Sequence, residues 1–114
     1  MSLSFHTVAR VGDLQDGDII AAAPGGVSMI VYRSGDAYYA TQRLCLHQGY
    51  DLLDGIVDAG YLICPLHGWR YHADTGAHEY SRETCLRTYA VRVLGDQIQV
   101  DPTPIRSNPG EPTT

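Results

Sequence analysis

Two short segments, Cys45-Leu46-His47 and Cys64-Pro65-Leu66-His67, stand sixteen residues apart and constrain this chain more than anything else in it. Each offers one thiolate and one imidazole. A fold that brings them together presents two sulfurs and two nitrogens, which is a metal site by ligand count. A structural zinc finger or ribbon normally takes both sulfurs from one knuckle, whereas here each knuckle mixes a sulfur with a nitrogen. In an extended strand or loop, residues i and i+2 point the same way, about 6–7 Å apart, and histidine reaches further than cysteine. Two such loops can set both sulfurs on an inner metal and both imidazoles on an outer one, a dinuclear centre with unlike ends. A Cys₂His₂ set also suits a single zinc ion, so the ligand count alone leaves both arrangements open.

The residues around the ligand pairs narrow the choice. His47-Gln48-Gly49, Leu53-x-Gly55, Tyr61-Leu62-Ile63 leading into the second pair, His67-Gly68-Trp69-Arg70-Tyr71, Thr75-Gly76 and a closing Tyr89-x-Val91-x-Val93 accompany C-x-H and C-x-x-H. This pattern resembles the Rieske family, in which two histidines replace two cysteines on one iron of a [2Fe–2S] centre. The resemblance covers about residues 4–101. It implies one [2Fe–2S] cluster held by Cys45, His47, Cys64 and His67. It also implies an all-β Rieske fold: an antiparallel β-sandwich base with a small cluster-binding subdomain formed by two loops, about residues 43–72. In the family the loop backbones donate N–H groups to the cluster sulfurs, and Gly49 and Gly68 are placed to let the backbone come close.

Charge sets the electronic expectation. An oxidised core of about +2 with two thiolates and two neutral imidazoles is near neutral, where four thiolates would leave about −2. The neutral centre accepts an electron more readily, with potentials of roughly −150 to +300 mV against about −400 mV for plant-type ferredoxins. High-potential Rieske proteins of respiratory complexes carry an extra, disulfide-bonded cysteine in each loop; this sequence has Tyr50 and Leu66 there. They also carry a serine after the second His-Gly, where this sequence has Trp69. Tyr71 stands at the family's other hydroxyl position, as a donor or as packing. The resemblance therefore implies the lower end of the range.

Composition excludes other classes. With 114 residues there is room for one domain. A net charge of −5 and the absence of lysine argue against nucleic-acid binding. Acidity suits docking onto basic patches of redox partners, and equally serves solubility. Three cysteines make no disulfide framework, and the ligand assignment leaves Cys85 as a small buried apolar residue of the last hairpin. No apolar signal segment, twin arginine or membrane-length run is present, so the expected location is the cytoplasm, with no membrane association.

No 3.6-residue apolar stripe of useful length occurs. Short strands are expected over 4–11, 19–23, 27–32, 37–41, 61–63, 69–72, 86–93 and 97–100, punctuated by Gly/Asp/Pro turns. Tyr38 and Tyr39 should place one ring on each face of their strand. Residues 77–84 look irregular, and His6, His72 and His78 are expected on the surface. The domain should end at residue 101. The segment 102–114 reads as a Pro-rich flexible tail, since four of six prolines fall in the last fourteen residues.

A free-standing domain of this size has no space for the mononuclear iron domain of an oxygenase large subunit. It resembles the Rieske-type ferredoxins of bacterial multicomponent oxygenases, electron carriers rather than enzymes, monomeric when free. These take one electron at a time from a flavin-containing NAD(P)H-dependent reductase and pass it to a terminal oxygenase. His-Gln and His-x-Trp lean toward aromatic or alkene monooxygenase systems over ring-hydroxylating dioxygenases of aromatic hydrocarbon catabolism. The alternatives are the Rieske-like small subunit of an assimilatory nitrite reductase and a zinc-stabilised interaction module.

Overall fold

The computed structural model describes residues 4–46, 49–66 and 68–106. His47, Gln48 and His67 lie outside the described residues, as does 107–114. Eleven strands in the described residues form two antiparallel sheets. The first contains β1 (His6–Arg10), β2 (Ile19–Ala22), β3 (Met29–Ser34), β4 (Ala37–Gln42), β10 (Thr88–Leu94) and β11 (Gln97–Arg106), in the order β1-β11-β10-β4-β3-β2. The second contains β5 (Ile56–Asp58), β6 (Tyr61–Ile63), β7 (Arg70–His72), β8 (Ala77–His78) and β9 (Ser81–Cys85), in chain order.

The six-stranded sheet folds back on itself. Met29 and Val31 near one end share an apolar core with Ile98 and Val100 near the other, and Leu14, Ala40 and Tyr89 fill between them. That is the expected sandwich base. The second sheet lies on its outer side. There Ile30 and Tyr32 pack with Leu52, Leu62, Tyr71, Ala73 and Leu86.

Strand β3 is therefore buried on both faces. Because side chains alternate along a strand, Met29 and Val31 enter the base core while Ile30 and Tyr32 enter the second one. The Tyr32 hydroxyl donates to the Ala73 carbonyl, tying the two sheets together. Tyr38 and Tyr39 divide as expected, Tyr38 packing against the base core and Tyr39 against the other.

Three expectations need correction. Residues 77–84 are not irregular: β8 and β9 complete the second sheet, with Ala77 opposite Cys85 and a register shift between Ala77 and His78. The bulge and the polar residues of an edge strand hide the two-residue period. The unit expected to bind the cluster is accordingly a five-stranded sheet carrying two loops, and Cys85 belongs to that sheet rather than to the last hairpin.

The expected boundary after Asp101 falls inside β11, which pairs on to Tyr89↔Pro104 and Thr88↔Arg106. Pro102 and Pro104 are tolerated because β1 ends opposite Val100, leaving the far side of β11 as an edge, and the register with β10 shifts there. The remaining tail, 107–114, lies outside the described residues. The three other histidines expected at the surface, His6, His72 and His78, lie there half-buried. Among the described residues no helix is long and apolar enough to cross a membrane.

Candidate metal centre

Both sequence segments sit at the same end of the second sheet. The first follows β4, the second joins β6 to β7, and the two loops are built alike. The Cys45 N–H donates to the Tyr50 carbonyl at 2.8 Å, and the Cys64 N–H donates to the Trp69 carbonyl at 2.8 Å. Each loop thus closes over six residues. The fifth residue of each is a glycine in left-handed backbone, Gly49 at φ +65° and Gly68 at φ +70°. A Cβ on either would meet no described atom within 4 Å. Glycine serves the left-handed turn here, rather than relieving crowding from the surrounding protein.

The neck of the first loop is clasped. Arg43 and Asp51 form a two-pronged ion pair, Nη2 to Oδ2 at 2.9 Å and Nε to Oδ1 at 3.0 Å. Asp51 also accepts the Leu53 N–H at 3.0 Å. The guanidinium first, and that N–H second, hold the Asp51 carboxyl below its ordinary range.

Cys45 and Cys64 are brought together, 3% and 0% exposed, and neither is in a disulfide. Both pack in one apolar cluster. Burial pushes the Cys64 thiol up to about 11, while the Leu66 backbone N–H works against that and the neighbouring Cys45 adds to it. The Tyr71 hydroxyl lies 3.1 Å from Cys45 Sγ. Burial first, and Cys45 second, raise the Tyr71 phenol, so it keeps its proton; the Leu46 backbone N–H works the other way.

This donor set fits a thiolate-bound metal group. Metal binding expels the thiol protons, and the Tyr71 O–H, 3.1 Å from Cys45 Sγ, is positioned to stabilise the resulting negative sulfur there. The sulfur end is interior. Of the described loop residues flanking the two histidines, Gly49, Pro65 and Gly68 are exposed, while Leu46 and Leu66 are half-buried against the apolar cluster.

Trp69 is half-buried and packs against the same apolar cluster as the two cysteines. Its ring meets His78 edge-on with centroids 4.6 Å apart, and Tyr71 at 6.4 Å. His78 also meets Tyr71 at 5.8 Å and accepts the Tyr80 N–H on Nδ1 at 3.2 Å. It is a packed ring supporting the second loop. Its proximity to Trp69 comes from β8 pairing beside β7, a strand that the sequence pattern does not announce. The Arg43–Asp51 clasp was equally hidden, because residues eight apart reveal no partnership until the loop closes.

The Rieske [2Fe-2S] domain family model matches residues 4–90. The ferredoxin CarAc of Metapseudomonas resinovorans is 36% identical, over 82% of this chain and 89% of its own length. The ferredoxin component of the alkene monooxygenase system of Xanthobacter autotrophicus is 24% identical, over 90% of this chain and 85% of its own length. Among solved structures, the complex of reduced oxygenase and oxidised ferredoxin in carbazole 1,9a-dioxygenase contains a chain that superposes with a TM-score of 0.80. That chain is 27% identical, and the match covers 93% of this protein and 100% of that chain. With most of its length matched and its two cysteine loops folded together, the chain belongs to the Rieske [2Fe–2S] domain family.

Proposed function

We propose that this protein is the one-electron carrier of a multicomponent oxygenase. It would take electrons from a flavin-containing NAD(P)H-dependent reductase and deliver them to a terminal oxygenase. One Rieske-type [2Fe–2S] cluster would be held by Cys45 and Cys64 on the inner iron and by His47 and His67 on the outer. The observation that carries this is the pair of buried, unbridged thiols at the base of two matching loops. Relatives named as ferredoxin components of oxygenase systems, and a similar chain in complex with an oxygenase, support the assignment of partners.

The bound cluster supplies a site that gains and loses one electron at a potential within the Rieske range. The chain's own residues do the rest. Cys45 and Cys64 anchor the inner end in the apolar core shared by Leu52, Leu62 and Leu86. With its sulfur bound as a thiolate, Cys45 accepts from the Tyr71 hydroxyl 3.1 Å away. Leu44 and Tyr50, exposed at the neck and rim of the first loop, offer an apolar margin to a docking partner.

The test is the protein as purified, loaded with iron and sulfide. A red-brown colour, an anisotropic paramagnetic signal on reduction, and NAD(P)H-driven turnover of an oxygenase only when the protein is added are expected. A colourless protein carrying one zinc ion would overturn the proposal.

A further inference from the structure

Gln42 closes β4 just before the first loop and is buried, 6% exposed. Its amide is held at both ends. Nε2 donates to the Leu44 carbonyl at 2.7 Å, and Oε1 accepts the Arg87 N–H at 2.8 Å. The orientation of the amide is fixed, because a backbone N–H can only donate and a carbonyl can only accept. The Gln42 backbone N–H also donates to the Arg87 carbonyl at 3.0 Å.

The Leu44 carbonyl and the Cys45 N–H belong to one rigid peptide plane. Gln42 holds the carbonyl end of that plane, and Tyr50 holds its N–H end at 2.8 Å. A plane gripped at both ends cannot swivel, so the direction in which Cys45 leaves the backbone is fixed. Arg87 lies where the chain returns from the second sheet to the base. One side chain therefore spans both crossings between the two sheets.

We propose that Gln42 is the positioning residue for Cys45, setting the angle at which that sulfur enters the metal centre; this rests on the metal-loop assignment proposed above. The position requires a donor and an acceptor in one neutral side chain. Glutamate keeps an acceptor for Arg87 but loses the donor to Leu44. Methionine, of similar length and uncharged, loses both.

The test compares Gln42→Met and Gln42→Glu with Tyr32→Phe, which removes a buried hydrogen bond between the sheets without touching either loop. All are read by thermal unfolding, iron content, visible circular dichroism and the paramagnetic spectrum of the reduced protein. Both Gln42 variants are expected to show altered dichroism and shifted g-values or a loss of iron. Tyr32→Phe should lose stability while keeping the wild-type spectra. The midpoint potential is compared only in Gln42→Met, where no charge is added, and should shift.

Gln42 variants that lose stability yet keep wild-type spectra and iron would overturn the proposal. So would a spectral change confined to Gln42→Met, since the Arg87 contact would then be the one that matters. A wild-type protein without an iron–sulfur spectrum would instead remove the metal-centre assignment itself, whatever the variants do.

Discussion

The Tyr71 hydroxyl stands 3.1 Å from Cys45 Sγ, buried and protonated, on a strand that faces the first loop from across the second. A hydrogen bond to a thiolate ligand stabilises the more negative, reduced state more than the oxidised one. Tyr71→Phe removes that donor without opening space. The differential is about 1 kcal/mol for a bond of this kind, or ~40 mV for a one-electron couple. Voltammetry should show the midpoint falling by that order. A variant with the wild-type midpoint would make Tyr71 a packing residue only.

Replacing either proposed imidazole ligand tests the charge account directly. His47→Cys or His67→Cys adds a negative ligand to the outer iron, which should lower the midpoint toward the ferredoxin value or expel the cluster. The class difference between Rieske and all-cysteine centres is a few hundred millivolts, so a retained cluster should move by at least about 100 mV. A mutant that keeps its cluster and its midpoint would contradict it.

Arg43→Gln should loosen the neck of the first loop in a pH-dependent way. The Asp51 carboxyl is held below its usual range, so the folded state binds a proton there less readily than the unfolded chain. The stability this contributes is present above the unfolded carboxylate value, about 3.9. It is lost as the pH falls through the lower, folded value. The thermal midpoints of Arg43→Gln and wild type should therefore differ at neutral pH and converge in acid. The pair is partly exposed, so added salt should narrow the gap as well.

Neighbouring residues of β3 should separate stability from metal binding. Met29→Ala and Ile30→Ala each empty a fully buried site, at a cost of about 2–5 kcal/mol. Met29 faces the base core, and Ile30 faces the one shared with Cys45 and Cys64. Thermal denaturation should report similar losses for both. Visible circular dichroism should change for Ile30→Ala and stay unchanged for Met29→Ala.

The proposed ligand segments stand out because cysteine and histidine at these spacings have few other uses, and the strand 61–63 was bounded as expected because turn residues flank it. What escaped the sequence was carried by pairings between distant strands. β9 reads as irregular since an edge strand can be polar throughout, and the end of β11 reads as a tail since Pro102 and Pro104 deny it a continuous ladder. Tyr71 could be donor or packing until its partner Cys45 in the first loop was placed. Gln42 carries no signature at all, because an amide that spans two crossings depends on residues 44 and 87 meeting.

A strand with no solvent face has a consequence for recombining relatives. Since β3 sends alternate residues into the two cores, the second sheet cannot be grafted onto another family member's base as a free-standing cassette. A working chimera must carry Ile30 and Tyr32 over with the donor sheet while leaving Met29 and Val31 to the acceptor, so the seam runs residue by residue along one strand instead of through a loop.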